Sequence, residues 1–208
     1  MNKSFKSPVV ILANGAFPIS KIPLDQLKSA GTVICTDGSA NNLSKLGLTP
    51  HVIIGDMDSI DSKYEFNGLK IHDNNTENSD LEKALNWVIM SNVSDITVLG
   101  STGLREDMTL ANLHILFHYY DKISIKLITD HFTVTCHKGE QSFDSFHGEN
   151  VSLFAQKLDS IVTTKSLKYQ LKDSSISPPQ KGISNQSTGS TFSVECSDPI
   201  LVFRGHTK

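Results

Sequence analysis

The sequence contains no Gly-x-x-x-x-Gly-Lys-Ser/Thr, no Gly-x-Gly-x-x-Gly and no Gly-x-Ser-x-Gly. These absences exclude an ordinary P-loop, a dinucleotide fingerprint and a nucleophile elbow. Cysteine is scarce: Cys35, Cys136 and Cys196 are far apart and form no Cys-x-x-Cys pair. That excludes a disulfide framework, and no His/Cys cluster offers a zinc site. Each cysteine sits in an apolar or alternating run, which reads as a buried thiol in a reducing cytoplasm. No apolar run approaches the roughly 20 residues that span a bilayer. The first apolar stretch, residues 9–13, ends in Asn-Gly and is too short for a signal-peptide core. Excess charge is also missing. Nineteen Lys and Arg against 22 Asp and Glu give a net charge of -3, which leaves no basic footprint for nucleic acid and no polybasic anchor for a membrane.

What is present is an ordinary globular composition, 38% hydrophobic and 20% charged over 208 residues, enough for one large domain or two modest ones. In the first two thirds, apolar runs at residues 9–13, 32–36, 52–54, 96–99 and 125–129 alternate with helical patterns. "PLDQLKSA" places a proline at a helix start. "SDLEKALNWVIM" carries a capping box, with Ser79 as N-cap and Glu82 three residues later, followed by the stripe Leu81, Leu85, Val88 and Ile89. "TLANLHILFHYY" is expected to bury Leu110, Leu113, Leu116 and Phe117 from a helix starting near Thr109. The single tryptophan, Trp87, reads as helix packing. Strands alternating with helices predict a mostly parallel α/β sheet covered on both faces. The last third is rich in β-branched and aromatic residues. Phe192, Val194 and Cys196 alternate with Ser193 and Glu195, which predicts antiparallel strands with one wet face. The expected division is an α/β domain over residues 1–138 and a smaller β-sandwich over 139–208, with the boundary near residues 137–141.

Ligands of open α/β sheets bind beyond the carboxyl ends of the strands. Polar clusters fall there: Asn14-Gly15 after the first strand, Asp37-Gly38-Ser39 with Asn41 after the second, Gly55-Asp56-Met57-Asp58 after the third, and "GSTGLREDMTLAN" after the fourth. Ordinary loop formation accounts for any one of these; their concentration at one rim is better explained by a site. Asp56 and Asp58, two residues apart, converge on a cation if the chain turns between them. Hard carboxylate oxygens suit Mg²⁺, which takes its remaining ligands from water and substrate phosphates. Asp80 opens a helix, where it also complements the helix dipole. Arg105 and Asp107 precede the next helix; the arginine suits phosphate oxygens, and a surface charge cluster is the alternative.

In this order the segments "LANG", "DGSANNL", "GDMDSI", "NSDLEKAL", "GLREDMTLAN", "SLKYQL" and "GISNQ" resemble the thiamine pyrophosphokinase family over nearly the whole chain. The resemblance implies an enzyme that moves a pyrophosphoryl group from ATP to thiamine, giving thiamine diphosphate and AMP. It implies Mg²⁺ held by Asp56, Asp58, Asp80 and Asp107, and phosphate contacted by Arg105. A nucleotide pocket would be lined by Gly15, Asp37, Gly38, Ser39 and Asn41. Tyr169 would stack on thiamine, with Ser184 and Asn185 bonding it; from the local sequence alone, Tyr169 reads as a sandwich-core residue. A homodimer with composite sites is implied, and a β-domain of about 70 residues has a limited core of its own. Met108 stands where the family has His and Ser166 where it has Gly; Asn75-Thr76 replace an Asp-Gln pair. Two other readings use the same rim: a non-catalytic nucleotide or metal sensor, and another Mg²⁺-dependent phosphotransferase.

Overall fold

A computed structural model describes residues 5–61 and 65–207. They form two compact units. One runs to Ile115 and includes Asp121–Asp130; the other comprises Leu116–Tyr120 and the chain from His131. The first unit contains β1 (Val9–Leu12), α1 (Lys21–Ser29), β2 (Thr32–Thr36), α2 (Ser39–Ser44), β3 (Val52–Gly55), β4 (Leu69–His72), α3 (Asp80–Met90), β5 (Asp95–Leu99), α4 (Glu106–Tyr119) up to Ile115, and β6 (Ser124–Ile128). Its strands lie in the order β6-β5-β1-β2-β3-β4, and every pair is parallel. β1, β2 and β3 are buried at every position. Val10, Leu12, Cys35, Ile53 and Leu99 pack with Leu27 and Leu43 into one core. Continuous rather than alternating hydrophobicity follows from burial on both faces.

Local chemistry sets the helix starts. Ser79 caps α3 in a complete capping box: its hydroxyl accepts from Glu82 N at 3.3 Å, and the Glu82 carboxylate accepts from Ser79 N at 3.0 Å. α4 begins at Glu106, three residues before the expected start. Glu106 and Asp107 therefore lie in its first turn, where acids complement the helix dipole. Leu116 and Phe117 are buried as expected, whereas Leu110 is 59% exposed. Asn112, Ile115, Leu116 and Tyr119 line the buried side. That spacing is a regular helical stripe, but it starts with an amide. β4 was not anticipated; Leu69 and Ile71 alternate with more exposed Lys70 and His72, the pattern of a short edge strand.

The second unit contains β7 (Phe132–Asp144), β8 (Asn150–Ala155), β9 (Ile161–Lys165), β10 (Ser174–Ser175), β11 (Asn185–Gln186) and β12 (Thr191–Gly205). Paired with one another, these strands run antiparallel. Residues 137–141 lie inside β7. β12 pairs with β7 along its length but changes its other neighbour: Ser193 to Cys196 face β9, and Ile200 to Arg204 face β8. The register shifts between Cys196 and Ile200, across Asp198-Pro199, where proline has no N–H to give the ladder. Phe192, Val194 and Cys196 point inward as their alternation implied. Phe192 stacks on Phe143 with ring centroids 4.9 Å apart, in a core with Val151, Leu153 and Val202. Among the described residues no helix is long and apolar enough to cross a membrane.

Ser166 has φ +60° in the turn leading to Leu167, which bridges to Ser187. A side chain in the left-handed region costs about 1–2 kcal/mol, more than the roughly 0.4–1 kcal/mol of unfolded-chain entropy that glycine adds. Ser166→Gly should therefore stabilise the protein by about 0.5–1 kcal/mol. Chemical denaturation measures this; an unchanged or lower midpoint contradicts the strain.

Candidate functional site

The carboxyl ends of β1, β2, β3 and β5 open onto a cavity of about 530 Å³. Its lining includes Asn14, Gly15, Asp37, Asp56, Asp58, Asp80, Lys83, Ser101, Arg105 and Asn112. Two backbone features build the acidic end. Gly55 ends β3 at φ +150°. A Cβ there would stand 2.9 Å from the Asp37 Cβ and 3.4 Å from the Asp80 carboxyl carbon, so only glycine admits these residues so closely. Met57 then adopts φ +68° and packs on the core, which turns the chain between Asp56 and Asp58. One carboxylate oxygen each from Asp37, Asp56 and Asp58 lies within 4.8 Å of the others.

These acids differ in environment. Asp37 is 3% exposed. Its Oδ2 accepts from Ser59 N at 3.2 Å, while Oδ1 is buried without a partner. Burial pushes its pKa up; hydrogen bonds from Ser59 oppose this, and the charges of Asp80 and Asp56 add to it. Asp58 is exposed, and the Ser59 hydroxyl, donating at 2.8 Å, holds its pKa down. Asp80 receives a hydrogen bond from Lys83 Nζ at 2.9 Å. Burial alone would lower the Lys83 pKa, but the Asp80 hydrogen bond and the charges of Asp80, Asp73 and Asp56 carry it above its ordinary value.

A buried carboxylate oxygen without a donor, beside two further carboxylates, fits a hard cation such as Mg²⁺. The grouping differs from the expected one. Asp37, assigned above to the nucleotide pocket, belongs to the acid cluster. Asp107 does not. Its carboxylate is forked by Arg105, with Nη2 to Oδ2 at 2.6 Å and Nε to Oδ1 at 3.1 Å, and also accepts from Met108 N. This pairing lowers the Asp107 pKa.

Three other expected pocket residues have structural tasks. Ser39 is 1% exposed and donates to Leu12 O at 2.7 Å, tying α2 to the end of β1. Asn41 brackets the acidic loop, donating to Ser59 O and accepting from Asp61 N. Gly38 lets Asn14 and Ser59 approach; a Cβ there would lie 2.9 Å from Asn14 Nδ2. Gly15 does line the cavity, but its N–H is bonded to Gly100 O at 2.7 Å. Sequence reasoning missed Lys83, Ser101 and Asn112. Asn112 leaves a signal, as a polar residue on a helical stripe.

A second, open depression in the other unit is lined by Tyr169, Ile183, Ser184, Asn185 and neighbours. Tyr169 is 61% exposed, so it is not a core residue, and Lys168 Nζ lies 5.4 Å from its ring centroid. Asn185 is 3% exposed. Its Oδ1 accepts from Tyr169 N at 2.9 Å and from Gln186 N at 2.9 Å, and its Nδ2 donates to Tyr169 O at 2.6 Å. Its amide therefore holds the Tyr169 backbone in place. Ser184 is exposed beside it.

Two family models match this chain: the thiamin pyrophosphokinase catalytic domain over residues 24–128 and the thiamin pyrophosphokinase vitamin B1 binding domain over residues 131–201. The chain is 25% identical over 157 residues to thiamin pyrophosphokinase 1 of Caenorhabditis elegans, covering 67% of this chain and 64% of that relative's length. In fold it is similar to the thiamin pyrophosphokinase of Candida albicans, with TM-score 0.83, 20% identity and coverage of 94% and 88% of the two chains. The thiamine pyrophosphokinase of Bacillus subtilis gives TM-score 0.80, 21% identity and coverage of 95% and 98%.

Asp37→Asn replaces a desolvated carboxylate set among like charges, so it should raise the melting temperature in chelator. Added Mg²⁺ should stabilise the parent and have little effect on the variant. Equal Mg²⁺ responses would remove Asp37 from the cation site.

Proposed function

Because the chain belongs to the thiamin pyrophosphokinase family, we propose that it transfers a pyrophosphoryl group from ATP to thiamine, yielding thiamine diphosphate and AMP. The observation that carries this reading is the convergence of Asp37, Asp56 and Asp58 with one buried oxygen unpartnered. The thiamine hydroxyl oxygen attacks the β-phosphorus. The bond from that phosphorus to the oxygen bridging the α-phosphate breaks, and AMP departs with that oxygen. The hydroxyl proton is released as the new P–O bond forms. Such a reaction needs alignment and charge neutralisation.

Asp37, Asp56 and Asp58, with Asp80 beside them, would hold Mg²⁺, which when bound offsets phosphate charge. Lys83 keeps Asp80 in place through its 2.9 Å bond and adds positive charge at the cavity wall. Arg105 lines the cavity; Asp107 takes its Nε and Nη2 edge, and the remaining guanidinium N–H groups would serve phosphate oxygens. Asp107 thus serves as the partner of Arg105. The second unit is read as a small β-sandwich whose Tyr169 face orients the cationic heteroaromatic thiamine. Its exposure, and the Asn185 amide that fixes its backbone, support that task. The working form is read as a cytoplasmic homodimer with composite sites. Three free cysteines support a reducing compartment.

Incubation with Mg²⁺, ATP and thiamine, with products read by mass, should give AMP and thiamine diphosphate in equal amounts. ADP with thiamine monophosphate would replace this reading with single phosphoryl transfer. Tyr169→Ala should raise the thiamine KM by roughly tenfold or more, on the scale of base–aromatic stacking, and leave the ATP KM near the parent value. Equal changes in both constants argue against stacking. At thiamine well below the Tyr169→Ala KM, where that chain turns over weakly, mixing it with inactive Asp80→Asn chains under subunit exchange should raise activity above the sum of the two if the site is composite; demonstrated exchange without that gain excludes the arrangement.

A further inference from the structure

We propose that Ser101 and Asn112 form a hydroxyl-reading site for the sugar of the nucleotide, at the part of the cavity away from the carboxylates. This deepens the transfer reading and rests on its nucleotide being bound here. Ser101 is 3% and Asn112 7% exposed, and both line the cavity. Ser101 Oγ and Asn112 Oδ1 are buried without a protein partner. A polar atom so placed needs a partner from a ligand or water.

The orientation of the amide limits the ligand. Asn112 Nδ2 donates to Ser101 O at 2.7 Å. A carbonyl can only accept, so flipping the amide would set oxygen against oxygen. Oδ1 is thereby pinned as an unpaired acceptor on a residue that lines the cavity. It disfavours phosphate oxygens, which are acceptors themselves, and favours a hydroxyl or amino donor. Ser101 Oγ can donate or accept, so the pair suits a diol, one hydroxyl donating to Oδ1 and the other pairing with Oγ.

The sheet register says which hydroxyl. Leu99 of β5 pairs with Leu12 of β1, and Leu12 with Cys35 of β2. Ser101 and Asp37 each stand two residues beyond this row. Two strand spacings separate them, roughly 10 Å. An attacking alcohol must lie about 3–3.5 Å from the phosphorus held against the carboxylates. At that distance the pair stands off the carboxylates themselves, and the ribose of the nucleotide supplies a vicinal diol to match it. Asn112 reaches this place because it heads the buried stripe of α4.

The test compares ATP with 2′-deoxy-ATP and 3′-deoxy-ATP in the parent, Ser101→Ala and Asn112→Ser. Ser101→Ala removes only Oγ and leaves the carbonyl that holds Asn112, so it separates recognition from folding. The parent should favour ATP over at least one analogue by about tenfold in kcat/KM, the scale of one unmade buried hydrogen bond. Each variant should lose that preference by weakening ATP and not the analogue, with the thiamine KM unchanged. No discrimination by the parent overturns the proposal, as do variants that lose activity while keeping the parent ratio. A change confined to the thiamine KM assigns the pair to the alcohol and also overturns it. Calorimetric binding of the three nucleotides without thiamine separates the two readings. Discrimination in binding without product formation sinks the transfer reading and leaves this site standing; no binding of Mg²⁺-ATP by the parent overturns both.

Discussion

Placing three carboxylates within 4.8 Å of one another is unfavourable, and the unit containing β1 to β6 is arranged to enforce it. Like charges at that separation repel strongly when one of them is removed from water, and Asp37 is. The chain holds the arrangement with features that tolerate no ordinary substitute. Gly55 leaves no room for a Cβ between Asp37 and Asp80. Met57 accepts a left-handed backbone while its side chain stays anchored on the core. Asn41 and Ser59 brace the loop. Strain of this kind is retained where the surrounding structure over-determines it and a ligand relieves it. The parallel strands supply the rigid base: their buried runs end at one level, so the polar residues that follow emerge along one edge.

Much of this was legible in the sequence for physical reasons. A strand buried on both faces has to be apolar throughout, which made the runs ending at Ala13, Thr36 and Leu99 visible without their partners. The capping box of α3 is encoded by Ser79 and Glu82 alone, and Asp56-x-Asp58 announces itself by spacing. What stayed hidden depends on tertiary burial. Asp37 beside Gly38 looks like a turn residue; only its enclosure by Gly55 and Ser59 makes it part of the carboxylate cluster. Asp107 entered as a cation ligand through the family resemblance; helix α4, starting earlier than its apolar residues suggest, places that carboxylate against Arg105. Leu110 fits a helical stripe as well as Ile115 does, and local sequence does not say which face turns inward. Asn112 marks the answer, since an amide on a buried stripe requires a partner.

The second unit applies the same division between support and recognition. Asn185 resembles a ligand-binding residue in its motif, yet its side chain bonds to backbone at Tyr169 and Gln186. Its amide fixes the turn from which Tyr169 projects into solvent. Ser39 and Asn41 do likewise around the acidic loop. In both units the residues next to the exposed chemistry satisfy buried backbone groups, which leaves the reactive or stacking side chains free.

The carboxylate cluster as a cation site is tested most directly by crystals grown with Mn²⁺ and a non-hydrolysable ATP analogue. Anomalous scattering should place Mn²⁺ against Asp37 Oδ1 and oxygens of Asp56 and Asp58, at distances of roughly 2.0–2.3 Å for a hard cation on oxygen, with phosphate oxygens completing its shell. An anomalous peak at Asp107 with none against Asp37, or no peak at saturating Mn²⁺, would contradict it.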